Sequence, residues 1–407
     1  MIKILELFGG IGACSKALER LNIEHEVVDY VEIDKYAVKS YNAIHNSNFE
    51  PQDITQWDKD IEVDLIMHGS PCQDFSLAGK QAGGDEGAGT RSSLMYETIR
   101  IVSKLKPKYV IWENVKNLLS VKHRHNFDAY LEIMENLGYE NHYQVLNAKD
   151  YGIPQNRERV FTISILKESI VYDDYNSNIR KEQDLTTNCG SSTIRNGWKI
   201  IECEQNFTFP LKQELTLRLK DMLENEVDEK YYLSEYKINS ISHWKAYQKP
   251  FEKVQGKNSI VPTLTARGAG EEHSGMITYS DSLDNTTNLQ DKCLNIKEAT
   301  KKGYKESYDG DSVNLEQPNS KTRRGRVGNQ VAQTLTTSCN QGVVNNYRIR
   351  KLIPKECWRL MGFDDEDFEK ASQVNSNAQL YKQAGNSIVV QVLEAIFSEL
   401  LGVGRVE

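Results

Sequence analysis

Over its first 165 residues the chain alternates between two hydrophobic periods, and that rhythm limits the folds open to it. "IKILELF" reads as a strand and "CSKALERL" as a helix; "EVVDYVEI" is strand-like and "DKYAVKSYNAI" helical. "VDLIMHGS" and "KYVIWENV" are apolar runs of strand length, followed by helical patterns in "SSLMYETIRIVSKLK" and "FDAYLEIMENLGY". "YQVLNA" and "ERVFTISI" add two last strands. Alternation of this kind predicts an α/β fold, a doubly wound, mostly parallel sheet with helices on both faces. Ligands in such sheets sit beyond the carboxyl ends of the strands.

The rhythm stops near residue 168, and the next 180 or so residues are rich in Asn, Ser, Thr, Lys and Glu. Within them "SIVPTLTARGAG" (259–270) is a weak repeat of "QVAQTLTTSCNQG" (330–342), each an apolar pair, Thr-Leu-Thr and a Gly-containing turn. Short strands ending in turns suit that pattern. The expected organisation of the 407 residues is a first domain over 1–168, a smaller β-rich domain over 169–345, a hinge over 346–378, and a C-terminal helix over 379–407 that packs back on the first domain.

Three strand ends carry reactive or polar groups. The first strand runs into Gly9, Gly10 and Gly12, where a tight turn lets a ligand approach the backbone. Twenty residues beyond Gly12, Glu32 ends the second strand, placed to accept hydrogen bonds from both hydroxyls of a ribose. Together they imply a cofactor containing adenosine, without separating NAD from S-adenosylmethionine. The third strand delivers Pro71 and Cys72, where a thiolate could act as a nucleophile; a buried structural cysteine is the plainer reading. Glu113 ends another strand at the same edge, an acid–base candidate or a capping acid. Arg157 and Arg159, two apart at the start of a strand, could grip one anion or carbonyl, or form an exposed basic edge. "KQAGGDEGAGTR" (80–91) is a Gly-rich loop, a lid or a plain connection.

Composition removes some classes. The seven cysteines are odd in number, scattered and free of CxxC pairs, which argues against a disulfide framework and a zinc site, and for a reducing, cytoplasmic setting. No apolar run approaches the roughly 20 residues of a membrane span, and a strand-like run from residue 2 leaves no room for a signal peptide. The net charge of −8 conceals a basic stretch: residues 319–359 hold nine Lys/Arg against one acid, Glu356. A local polyanion site and a solvated basic loop are both compatible with it.

Taken in order, "LELFGGIGACSKAL", "VEIDKYA", "QDIT", "GSPCQDFSLAGK", "RSSLMYETIRIV", "WENVKNL", "LNAKDYGIPQNRERVF", "RKLIPKECWRLMGF" and "YKQAGNS" closely resemble the motifs of the cytosine-5 DNA methyltransferases, over about residues 1–166 and 347–395. Gly9 departs from the Ala or Ser of many members. The resemblance implies a Rossmann-like methyltransferase core, a target-recognition domain in the variable region, and S-adenosylmethionine as cofactor. Phe8, Gly10, Ile11, Glu32, Ile33, Asp53, Ile54 and Pro71 would line its pocket, completed by Asn386 and Ser387. Cys72 would be the nucleophile, with Glu113 and Arg159 holding the target cytosine and Arg157 in support. Gln73, Ser76, Arg323, Arg324 and Arg326 would contact DNA, as would Thr334-Leu335, which matches the family's Thr-Leu pair better than Thr263-Leu264.

The resemblance also implies double-stranded DNA as partner, no membrane and a monomer; it leaves open whether a cognate restriction endonuclease acts on the same site. Methylation of tRNA cytosine and an NAD-dependent oxidoreductase are the competing readings. The roughly 175-residue variable region speaks against the first, and the ordered Cys72, Glu113 and arginine pair against the second. The target site is not legible, and the twin Thr-Leu-Thr segments raise the option of more than one.

Overall fold

The computed structural model describes residues 1–71, 94–173, 189–195, 198–203, 207–234, 238, 293–318, 320–338, 340–345 and 348–403. Cys72, Gln73, Ser76, the loop 80–91 and Thr263-Leu264 lie outside the described residues.

The alternating elements form as expected: β1 (Ile2–Leu7), α1 (Ala13–Arg20), β2 (His25–Val31), α2 (Lys35–His45), β3 (Leu65–His68), α3 (Met95–Leu105), β4 (Tyr109–Val115), α4 (Arg124–Asn136), β5 (Tyr139–Asn147), β6 (Gln155–Asn156) and β7 (Glu158–Leu166). Six of them make one sheet in the order β2-β1-β3-β4-β7-β5. β1 to β4 are mutually parallel, while β7 runs antiparallel between β4 and β5. β3 is buried along its whole length, the signature of a strand covered on both faces. On one face α3 and α4 supply Met95, Ile101, Val102, Phe127, Tyr130 and Met134 to a core shared with Leu5, Ile66, Val110 and Trp112. The antiparallel course of β7 matters for chemistry, because it brings the start of β7 to the same edge as the end of β4, with Val115 opposite Arg159.

Contacts divide the chain into two compact units: Met1–Glu224 with Thr334–Cys339 and Ile353–Glu407, and Asn225–Gln333 with Asn340–Leu352. The expected boundaries at 168/169 and 345/346 therefore differ from the observed ones. β8 (Glu168–Asp173), β9 (Cys189–Arg195) and β10 (Trp198–Cys203), an antiparallel sheet, belong to the first unit. The second unit is β-rich. It holds a hairpin of β11 (Leu294–Lys297) and β12 (Tyr304–Ser307), together with β13 (Ser312–Asn314), β14 (Val327–Gly328), β15 (Ala332–Gln333), β16 (Gln341–Asn345) and β17 (Arg348–Lys351). An antiparallel sheet in the order β14-β13-β16-β17 covers Leu294, Ile296, Val313, Val327, Val344 and Ile349.

The chain ends in α5 (Pro354–Arg359), α6 (Asp365–Ser372), α7 (Asn377–Asn386) and α8 (Val390–Leu401). The expected single C-terminal helix is thus two, because Ser387 and Val389 are extended. The stretch Asn377–Leu401 is apolar and long enough to cross a membrane by length and composition, contrary to the expectation that no run approaches that length. It is broken in the middle, and half of its most apolar window is buried in the protein. Return to the first unit is secured by ion pairs from α1: Arg20 to Glu394 at 3.1 Å, and Lys16 to Asp364 and Asp367, both at 2.9 Å.

Candidate active site

The glycine turn after β1 has an unusual backbone. Phe8, Gly10 and Gly12 all have positive φ (55°, 57° and 82°), and Phe8 holds a conformation that non-glycine residues rarely adopt. A Cβ on Gly12 would lie 2.2 Å from His45 Nε2, so only glycine fits; one on Gly10 would meet nothing within 4 Å, leaving open space beside the backbone. Glu32 faces that space. Its Oε2 accepts from the Gly10 N–H at 3.3 Å and its Oε1 from the Asp34 N–H at 2.8 Å. A carboxylate has about four lone-pair sites, so roughly two remain for a ribose diol. Burial pushes the Glu32 carboxyl above its ordinary pKa, partly opposed by those backbone donors. Ile33 next to it is 69% exposed, an apolar surface available to a base. Asp53 accepts from the Thr55 N–H and hydroxyl, both at 2.9 Å, shaping the turn that buries Ile54. An adenosine group fits this set: open backbone, acceptors at a strand end, and an exposed aliphatic side chain. Ile11, by contrast, is almost fully buried.

The second cluster lies where β3, β4 and β7 end together. Ser70 is buried; its Oγ accepts from Trp112 Nε1 at 2.9 Å, and its carbonyl from Asn114 Nδ2 at 3.5 Å. The turn that leads to Pro71 and Cys72 is thereby tied to β4 on both sides of Glu113. Behind it, His68 is stacked on Trp112 with centroids 5.7 Å apart, and its Nε2 lies 3.3 Å from the Tyr130 hydroxyl. Full burial lowers its pKa to about 3, so it is neutral. Glu113 Oε1 pairs with Arg159 Nε at 2.9 Å, the two side chains being 12% and 17% exposed. They are diagonal neighbours on one face of the β4–β7 ladder. A Cβ on Gly69 would lie 3.8 Å from Glu113 Oε2, which places that carboxyl group three residues from Cys72. A small cavity opens here, lined by Glu113, Arg159, Phe161, Ile388 and Val389 among others.

Arg157 and Arg159 both line this cavity, but their hydrogen-bond partners differ. Arg157 falls in the break between β6 and β7 and is buried. Its guanidinium donates to the carbonyls of Leu335 (3.3 Å), Gly385 (3.1 Å) and Ser387 (2.7 Å), so it holds backbone at the edge of the cavity. Leu335 is likewise buried, its N–H donating to Gln155 Oε1 at 3.1 Å, and Thr334 Oγ1 donates to the Asn156 carbonyl at 2.8 Å. This pair belongs to the first unit, with the Leu335 side chain buried there. Asn386 is exposed and Ser387 buried.

Most of the basic stretch is engaged within the protein. Arg326 is buried and donates to the carbonyls of Asn314, Glu316 and Gln317, which removes it from phosphate contact. Arg323 pairs with Glu316 at 3.1 Å. Arg348 pairs with Glu229, Lys355 with Asp365, and Arg359 with Asp365 and Glu224. Arg324 is exposed, its Nε donating to the Ala299 carbonyl at 2.9 Å. Ser70, Trp112 and Gln155 also shape the site, and in the sequence they stand out by their adjacency to Cys72, Glu113 and Arg157.

A Rossmann-like sheet with an adenosine-type turn at one strand end, and a carboxyl–guanidinium pair beside Gly69 at another, fits a cofactor-dependent enzyme. A family model, "C-5 cytosine-specific DNA methylase", matches residues 2–402. The chain is 33% identical to the orphan methyltransferase M.SPRI of Bacillus phage SPR, covering 98% of this chain and 97% of that one. It is 32% identical to the type II methyltransferase M2.ScrFI of Lactococcus lactis subsp. cremoris, covering 98% and 99%. Among solved structures, the S. pombe Dnmt2 methyltransferase shares the fold, with a TM-score of 0.52, 18% identity and 99% of both chains covered. The chain belongs to the C-5 cytosine-specific DNA methylase family. It is a DNA cytosine-5 methyltransferase that uses S-adenosylmethionine.

Proposed function

We propose that the protein methylates carbon 5 of a flipped-out cytosine, at specific sites in duplex DNA, through a covalent adduct on Cys72. The observation that carries this reading is the Glu113–Arg159 pair, on adjacent strands and beside Gly69 of the turn that leads to Cys72. Ring carbon 5 is a poor nucleophile. Addition of the Cys72 thiolate to ring carbon 6 breaks the aromaticity and makes carbon 5 an enamine carbon. Glu113 holds a proton at ring nitrogen 3 as charge builds there, and Arg159 faces the exocyclic oxygen as an electrostatic clamp. S-adenosylmethionine, when bound along Phe8, Gly10, Glu32, Ile33 and Asp53, supplies a methyl group on a sulfonium. A base, such as water, then takes the carbon 5 proton, and the electron pair expels the Cys72 thiolate, restoring the ring. Because carbon 5 lies inside a stacked duplex, the base must leave the stack, at about a few kcal/mol.

The test is transfer of labelled methyl from S-adenosylmethionine to DNA, with bisulfite sequencing to map the site. Cys72→Ser is expected to lower the rate by on the order of 10⁴-fold or more while leaving DNA binding intact. Equal transfer by wild type and variant, or transfer to bulk tRNA in preference to DNA, sinks this reading.

A further inference from the structure

The strand that leads to Glu32 carries a buried acid. The register between β1 and β2 slips by one residue after Ile4, so that Asp29, and not Val28, stands opposite Leu5. Such a bulge re-aims a side chain. Asp29 is 3% exposed, beside a core that includes Leu5, Val31 and Trp57. A carboxylate buried there must have its lone pairs filled. Four donors fill them: Oδ1 accepts from the Tyr30 N–H at 3.0 Å and Gln52 Nε2 at 2.9 Å, and Oδ2 from Trp57 Nε1 and Lys59 Nζ, both at 2.7 Å. Burial works against the charge, but the Lys59 ammonium and the Trp57 and Gln52 donors outweigh it and hold the carboxyl below its ordinary pKa.

Three of those donors come from one segment, and they flank two residues of the cofactor pocket. Gln52 precedes Asp53 and Ile54, while Trp57 and Lys59 follow them. Asp29 therefore closes residues 52–59 into a loop that contains the single turn Ile54–Gln56 and its cap, Asp53. Gln52 also ties the loop to the end of β2: its N–H donates to the Glu32 carbonyl at 2.9 Å, and its Nε2 to the Tyr30 carbonyl at 2.8 Å. Arg100 of α3 adds bonds to the carbonyls of Ile54 (3.1 Å) and Trp57 (2.8 Å). We propose that Asp29 is a positioning residue for the cofactor: it fixes Asp53 and Ile54 at a set distance from Glu32, so that both sides of the adenosine site are built on one carboxylate. This rests on the reading above that Glu32, Asp53 and Ile54 line the cofactor pocket. Asp29 itself has its lone pairs committed to protein donors and offers none to a ligand. The adenosine does not change during methyl transfer, so its contacts are equal in the ground and transition states. Loosening them raises KM for the cofactor and leaves kcat alone.

The experiment measures the Kd of S-adenosylhomocysteine by calorimetry, together with kcat and KM for methyl transfer to a duplex carrying the bisulfite-mapped site. Asp29→Asn keeps an acceptor for Tyr30 and Gln52 but sets an amide donor against Trp57 and Lys59. It is expected to raise that Kd, and the KM of S-adenosylmethionine, by about tenfold. At saturating cofactor, kcat and the KM of DNA should stay within about twofold of wild type. Trp57→Phe removes one donor, the indole N–H, and is expected to raise the Kd by about threefold. Asp53→Ala is expected to weaken the cofactor at least as much as Asp29→Asn does. Adding Asp29→Asn to it should then cost no more than about a further twofold, because both changes act on one contact. A merely structural role would lower the melting temperature and leave the Kd of the folded protein alone. An unchanged Kd in folded Asp29→Asn, or a fall in kcat with KM unchanged, overturns the proposal; if that variant does not fold, an unchanged Kd in Trp57→Phe does so. An unchanged Kd in Asp53→Ala removes the reading of the cofactor pocket and the proposal with it, whereas a Kd raised by Asp53→Ala and not by Asp29→Asn removes the proposal alone.

Discussion

Arg159 and Arg326 lie in different units and put the same group to opposite use. Arg159 stands at the end of a strand ladder, partly exposed, with its Nε on the Glu113 carboxylate and a cavity beside it. Arg326 is enclosed and donates to three carbonyls of one loop. The first guanidinium rests on Glu113 through Nε and on the Glu158 carbonyl through Nη1, and it lines a cavity that can hold a ligand. The second braces a β-rich unit whose hydrophobic core is small, with Nη1 and Nη2 donating to backbone carbonyls. A positive charge in a sequence therefore says little about nucleic acid until the partners of its donors are known.

The contrast can be broken most decisively at Arg159. Arg159→Ala is expected to cut the methylation rate by about 10²- to 10³-fold, the cost of removing one preorganised donor, with little change in stability. Single-turnover transfer together with thermal melting checks both halves. Arg326→Ala should do the reverse. It leaves three carbonyls of the 314–317 loop without their charged donor and should destabilise the second unit by about 2–3 kcal/mol. Denaturant unfolding reads this, and a variant as stable as wild type but deficient in DNA binding would reinstate Arg326 as a phosphate ligand.

His68, behind the catalytic edge, gives a test by pH. Its folded pKa of about 3 lies below the ordinary value of about 6.5. The unfolded chain therefore binds a proton that the folded chain refuses. Its stabilising contribution is complete above about pH 6.5 and falls as the pH drops towards 3, by up to about 1.4 kcal/mol per pH unit. His68→Phe should flatten the acid limb of a stability-against-pH curve; an identical limb in the variant would refute the burial argument. The smallest effect is expected at Arg324, exposed on the same loop as Arg326. Arg324→Ala should leave stability within about 0.5 kcal/mol and reduce the salt slope of DNA binding by about one.

Much was legible in the sequence because it is local. Strand and helix periods in the first 165 residues follow from burial on one or two faces, and each period repeats within a few residues. The positions of Glu32 and Glu113 near strand ends follow from that rhythm, as does the glycine turn, since Gly10 and Gly12 have positive φ. What sequence could not supply was which donors meet which acceptors across long stretches of chain. Arg157 and Arg159 differ by two residues, yet a break between β6 and β7 turns one towards carbonyls of residues 335, 385 and 387 and the other towards Glu113. Thr334 and Leu335 are held in the first unit by single hydrogen bonds to Asn156 and Gln155 and from Arg157, which leave no periodic trace. Periodicity encodes which face is buried, while partner choice among polar groups is decided only when the backbone closes around them.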